Sequence, residues 1–457
     1  MCRILATLAI AASTIVLTCQ GQGLPDEINF LKSNSEGVHI YGVSTYFAYS
    51  AFDFPPAGAA NFQRKNYGAS GTVGWQRFHG RTSISTHYSG SYSGDIGTSG
   101  LNHLNHSLVF DLSRELGRKW TVNLSASGQD SFLAQSIFEP STLGALSQTP
   151  STTDDLAAAM SVGRFSNTQN GLALNGSPSG YAPTLAALLG SHMLIYGLQA
   201  SVSYEYSSRL SFQFGSFAAG GQHRVSDQTA GVSDNNAIPR SLGGTASASL
   251  TYSLSPRTDV GVSVSETYMR TRFQKAYLTS ANGSLARKMG KSWFLRAFGG
   301  ESLTSNAQQT SGAPPMRQTI YGASIGVKQR AHTLVASYNR SGYDVSTASI
   351  GENTILSGAW NWSHPRRSWA LHASYSRHET KNTGFSTLVG WQGSAGISQR
   401  LKTNLTLLVN CSYLRSRWIY LSNTSLVNVD GIRVSLGWTP QLRRHSADVS
   451  DTEEEVK

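Results

Sequence analysis

Seven residues are the best candidates for chemistry in an otherwise neutral chain: His87, Asp111, Glu205, Arg296, Lys328, His372 and Arg433. Acid–base catalysis would need a base within hydrogen-bond reach of a nucleophile or a second titrating group. His87, His106, His372 and His378 have serines nearby, but serine is abundant everywhere and no nucleophile motif surrounds any of them. Gly220-Gly221 and Gly243-Gly244 lack the following helix and lysine of a phosphate cradle. Zinc-ligand spacing is absent. The expectation is therefore no catalytic residue, no cofactor and no metal. The seven candidates recur among Ser, Thr, Asn and Gln at alternate positions. Such a wall hydrogen-bonds water, and its few charges form no single-sign ladder that would select ions of one sign.

The elements that must carry this wall are strands. In Thr354–Ser376, Leu356, Gly358, Trp360 and Trp362 alternate with Ser357, Ala359, Asn361 and Ser363. After His364-Pro365-Arg366-Arg367, Trp369, Leu371, Ala373 and Tyr375 alternate with Ala370, His372, Ser374 and Ser376. A period of two places each set on one side of a sheet. One side is bulky and apolar; the other is small and hydroxylated. The same logic puts Ser85, Asn123, Ser125, Gln199, Ser201, Ser203, Gln213, Ser247, Ser249, Thr251, Ser324 and Ser435 on the small, polar side. Phe294 and Phe298 are the one clear aromatic pair on that side.

Composition says which side meets water. Charged residues are 14% of the 457, against ~25% in soluble proteins. Hydrophobic residues are only 39%, and no internal run approaches the ~20 apolar residues of a membrane helix. Ser, Thr, Asn, Gln and 45 glycines fill the gap. A closed antiparallel barrel with lipid outside and water inside needs this balance. A secreted all-β protein is the alternative. Arg3 followed by the apolar Ile4–Leu17 reads as a signal peptide over residues 1–23. The mature chain then keeps one cysteine, Cys411, too few for a disulfide. The net charge of +11 is spread over many turns. With export, this argues against nucleic acid and for anionic lipid head groups as neighbours.

The chain then reads as residues 24–37, a short periplasmic segment; 38–440, a transmembrane up-and-down barrel; and 441–457, a polar tail ending in Glu453-Glu454-Glu455. Tight turns and longer loops alternate, giving about eighteen strands, with sixteen as the alternative count. The alternation stops from 128 to 193. That long third external loop carries Asp154 and Asp155 and two short helical patterns, 153–160 and 181–189. Ser89 to Gly100 reads as a Gly/Ser-rich loop, Ala218 to Arg240 as another. Trp75, Trp120, Trp293, Trp362, Trp369 and Trp438 fall near tight turns; Tyr46, Tyr67, Tyr88, Tyr196, Tyr268, Tyr338, Tyr375 and Tyr413 fall near loops. Two aromatic girdles are expected.

Over residues 38–440 the chain resembles the bacterial outer-membrane β-barrel class, porins in particular. The final strand, Gly431 to Trp438, is similar to the assembly signal of that class, although nineteen residues follow Trp438. The resemblance implies an outer-membrane location, lipid and the barrel-assembly machinery as partners, homo-oligomers in many members, and passive diffusion of small hydrophilic solutes. It also implies that the third external loop can enter the lumen, with Asp154 and Asp155 at a constriction; a loop capping the outside is the other reading. A barrel for polymer or exopolysaccharide export, or a structural barrel, fits the same wall. An outer-membrane enzyme ranks behind both.

Overall fold

The structure, a computed structural model, describes residues 36–53, 62–96, 102–132, 191–225, 241–270, 275–306, 316–344, 349–363, 368–382, 386–402, 404–420 and 423–439. Eighteen strands make up these segments. They are β1 Gly37–Asp53, β2 Phe62–His79, β3 Thr82–Asp95, β4 His103–Leu116, β5 Trp120–Phe132 and β6 Ser191–Glu205. Then come β7 Leu210–Val225, β8 Ser241–Ser255, β9 Thr258–Arg270, β10 Lys275–Met289, β11 Trp293–Asn306 and β12 Met316–Gln329. The last six are β13 His332–Asp344, β14 Ser349–Ser363, β15 Trp369–Asn382, β16 Ser386–Lys402, β17 Leu405–Tyr420 and β18 Asn423–Trp438. Each strand pairs antiparallel with the next, and β18 pairs with β1. The sheet is a closed barrel with no free edge. Of the two counts the sequence allows, eighteen is the one observed.

Closure depends on the register, and the register sorts the faces. Val43, Phe47, Leu108, Val262, Leu285, Leu303 and Leu436 lie on one face and are all exposed, Val262 by 58%. On β10 intermediate and exposed residues alternate along nearly the whole strand. A soluble protein rarely exposes a contiguous apolar patch beyond a few hundred Å². Here a band of apolar residues runs round the outer face of all the strands, so this barrel is inside-out relative to a soluble one.

The inner face is stitched by side-chain hydrogen bonds between neighbouring strands. Ser44 and Ser70 share one at 2.7 Å, Thr72 and Ser89 at 2.7 Å, Ser265 and Ser280 at 2.7 Å, Ser337 and Ser357 at 2.6 Å, and Ser374 and Ser394 at 2.6 Å. Each bond contributes on the order of 1 kcal/mol. At the tight turns the chain reverses with Gly80 at φ 57°, Gly117 at φ 83° and Gly290 at φ 68°. Glycine alone adopts this left-handed backbone without steric cost.

Four expectations need correction. The alternation does not stop at 128: β5 runs on to Phe132 and β6 begins at Ser191, both inside the stretch read as loop. Ser89 to Asp95 is strand, not loop: Ser89, Ser91 and Ser93 face Thr72, Ser70 and Gly68 across β2. Its Gly/Ser content resembles a linker, but small residues are what a crowded inner wall takes. Likewise β7 continues to Val225, seven residues past Ala218. Tyr46 does not join the outer girdle. It pairs with Ser435 and Gly68 on the inner face and is only 5% exposed.

Candidate functional site

The seven candidates stand on seven strands, β3, β4, β6, β11, β12, β15 and β18, and all share the inner face. One register row shows how: Asn361, His372, Gly396, Asn410, Arg433, Ala48, Asn66 and Asp95 follow one another across β14 to β18, then β1 to β3. His372 lies across Gly396, where an added Cβ would sit 2.5 Å from Nε2. The imidazole therefore lies flat along the wall because that neighbour has no side chain.

His87 lies between Gly74 and Val109 on its flanking strands, and Asp111 between Ser85 and Ser125. Glu205 is opposite Ser211 at the end of β6 and exposed. Arg296 is flanked across the sheet by Ala286 and Ser324 and along its own strand by the inward Phe294 and Phe298. Phe298 covers Gly322, while Phe294 is 3% exposed, so this pair packs into the wall. Lys328 donates to Thr333 Oγ1 at 3.1 Å. The Arg433 guanidinium lies 3.9 Å from the centre of the Tyr46 ring, a close cation–π contact across the β18–β1 closure. Asp154 and Asp155 lie outside the described residues, as do the helical patterns at 153–160 and 181–189.

Five further charged residues face inward that alternation alone did not single out: Asp95, Glu115, Asp259, Lys288 and Arg400. All but Asp95 sit within three residues of a tight turn, where period-two reading loses its phase. With them a pattern emerges. Among the described side chains, the inward acids Asp95, Asp111, Glu115, Glu205 and Asp259 all stand on β3 to β9. The inward bases Lys288, Arg296, Lys328, Arg400 and Arg433 all stand on β10 to β18. Nine of these ten lie in the half of the barrel nearer the tight turns. The lumen-facing wall thus carries an acidic arc facing a basic arc, over a neutral hydroxyl-lined barrel. Among the described residues no three His, Cys, Asp or Glu side chains gather as metal ligands.

No family model matches the chain, and no curated protein matches it. Several solved structures resemble its fold. Acinetobacter baumannii OccAB4 is 10% identical, with a TM-score of 0.44 over 89% of this chain and 98% of that one. Pseudomonas aeruginosa OccK9 (OpdG) is 12% identical, TM-score 0.43, over 88% and 98%. Pseudomonas aeruginosa OccK2 (OpdF), solved in complex with glucuronate, is 11% identical, TM-score 0.43, over 87% and 98%. The class of this protein, a closed eighteen-stranded antiparallel β-barrel, rests on its own strand register.

Proposed function

We propose that the protein is a bacterial outer-membrane channel through which small hydrophilic solutes diffuse passively. One observation carries this reading: the faces are reversed around a closed barrel, with apolar side chains outside and a hydroxyl-lined wall inside. Eighteen strands give a lumen wide enough for an aqueous path. The tight turns then face the periplasm and the loops face outward. Residues 1–23 act as the export signal, 24–37 as a short periplasmic segment and 441–457 as a polar tail. His87, Asp111, Glu205, Arg296, Lys328, His372 and Arg433 line the pore, and the segment between β5 and β6 brings Asp154 and Asp155 to its constriction. The barrel-assembly machinery recognises the final strand, and copies of the chain associate in the membrane.

The test is conductance in a planar bilayer. Refolded protein that shifts its gel mobility on boiling, as closed barrels do, is expected to open ohmic steps. Protein that folds by this criterion and inserts, yet never conducts, would overturn the channel reading in favour of an export or structural barrel.

A further inference from the structure

Not all outward-facing residues at the loop end are apolar or aromatic. Arg377 on β15, Trp391 on β16 and Arg415 on β17 form one register row on the outer face. Both guanidinium carbons lie 5.9 Å from the Trp391 ring, one on either side of the indole's strand. Arg417 follows Arg415 by two residues on the same face, about 7 Å further toward the loop end.

The counter-charges differ. Arg317 ion-pairs with Glu301, Arg340 with Glu352 and Arg377 with Glu379, all on the outer face. Among the described residues no carboxylate ion-pairs with Arg415 or Arg417, and both are exposed. Asp430 is opposite Tyr413, one row nearer the turns. Arg377 lies eight residues from Trp369, the start of β15 at the tight turn. That is ~26 Å along the strand, or ~20 Å of height once strand tilt is allowed for. The row therefore meets the upper edge of the ~25 Å apolar band.

Resting on the orientation proposed above, we infer that Arg415, Arg417 and Trp391 form a binding site for the phosphate groups of a phosphorylated glycolipid in the outer leaflet. Two guanidinium forks present paired donors that match phosphate oxygens. The indole holds Arg415 and offers a flat face to a sugar ring, a combination a simple phospholipid head group would not use. At the band edge the lipid phosphates supply the counter-charge that the chain's own carboxylates supply to the other three arginines.

The full chain is refolded in phosphatidylcholine nanodiscs and titrated with diphosphorylated lipid A, its dephosphorylated form and phosphatidylglycerol, with bound lipid counted by native mass spectrometry. The wild type is expected to prefer diphosphorylated lipid A over both by about tenfold. Arg415→Gln with Arg417→Gln should remove that preference, and Arg415→Lys with Arg417→Lys should keep part of it. Trp391→Leu should weaken it a few-fold and serves if the double variant does not fold. Equal binding of lipid A by wild type and variants, or equal binding of phosphatidylglycerol and lipid A, overturns the site. All variants should conduct like the wild type, because these residues lie outside the lumen. A barrel that selects lipid A but does not conduct overturns only the channel; one that conducts without selecting overturns only this site.

Discussion

The two halves of the barrel, β1–β9 and β10–β18, share one scaffold and, among the described side chains, carry inward charges of opposite sign. Both are walled by serine and threonine pairs, and both present aliphatic and aromatic side chains outward. Among the described side chains, their inward charged groups differ completely in sign. They meet at two seams. At β9–β10, Asp259 is opposite Ala286, two residues before Lys288. At β18–β1, Arg433 of the basic half lies over Tyr46 of the other. The comparison teaches that a wall can be near neutral in total and still carry a field across its width. At 0.1 M salt the Debye length is ~10 Å, so each arc acts mainly on solutes passing close to it. In the channel proposed above, the sign of a passing charge decides which side of the lumen it follows.

Making both halves acidic should have the largest effect. Arg296→Glu, Lys328→Glu and Arg433→Glu together leave mostly negative charge on the wall, and the potassium-to-chloride permeability ratio should rise by about tenfold. The reversal potential in a KCl gradient measures it; an unchanged value would mean that the arcs do not face the ion path. Removing acid from the other half should act in the opposite direction and less strongly. Asp111→Asn with Glu205→Gln should favour chloride by about two- to threefold, with a larger shift at low salt.

The seam can be tested through stability. An alanine Cβ at Gly68 would come within 2.3 Å of the Tyr92 carbonyl oxygen and 2.4 Å of the Tyr46 ring. Gly68→Ala should cost about 1–3 kcal/mol, read as a lower urea midpoint of the refolded barrel. It should also disturb Arg433, which rests on that ring. The smallest effect is expected from Tyr46→Leu, which keeps an apolar body but removes the cation–π contact. A loss of about 0.5–1 kcal/mol in the same assay would fit, and no loss would show that the two halves do not depend on this contact.

Much of this architecture was legible in the residues. Leu356, Trp360 and Trp362 against Ser357 and Asn361 announce two faces, because side chains alternate strictly along a strand. The same alternation put all seven candidates on one face. It failed where chemistry mimics another signal. Ser89 to Asp95 looks like a linker, and Tyr46 looks like a girdle residue, because neither smallness nor aromaticity states a direction.

What the sequence by itself determined is the period-two pattern, the tight turns and the inside-out distribution of apolar and hydroxylated residues. These depend only on neighbours a few positions away. What only the tertiary structure decided is which strands touch and in what register. That Arg433 lies on Tyr46 follows from the pairing of β18 with β1, elements nearly four hundred residues apart. The division into an acidic and a basic half arises in the same way: a charge on one strand has no such meaning until closure places the strands around a common axis.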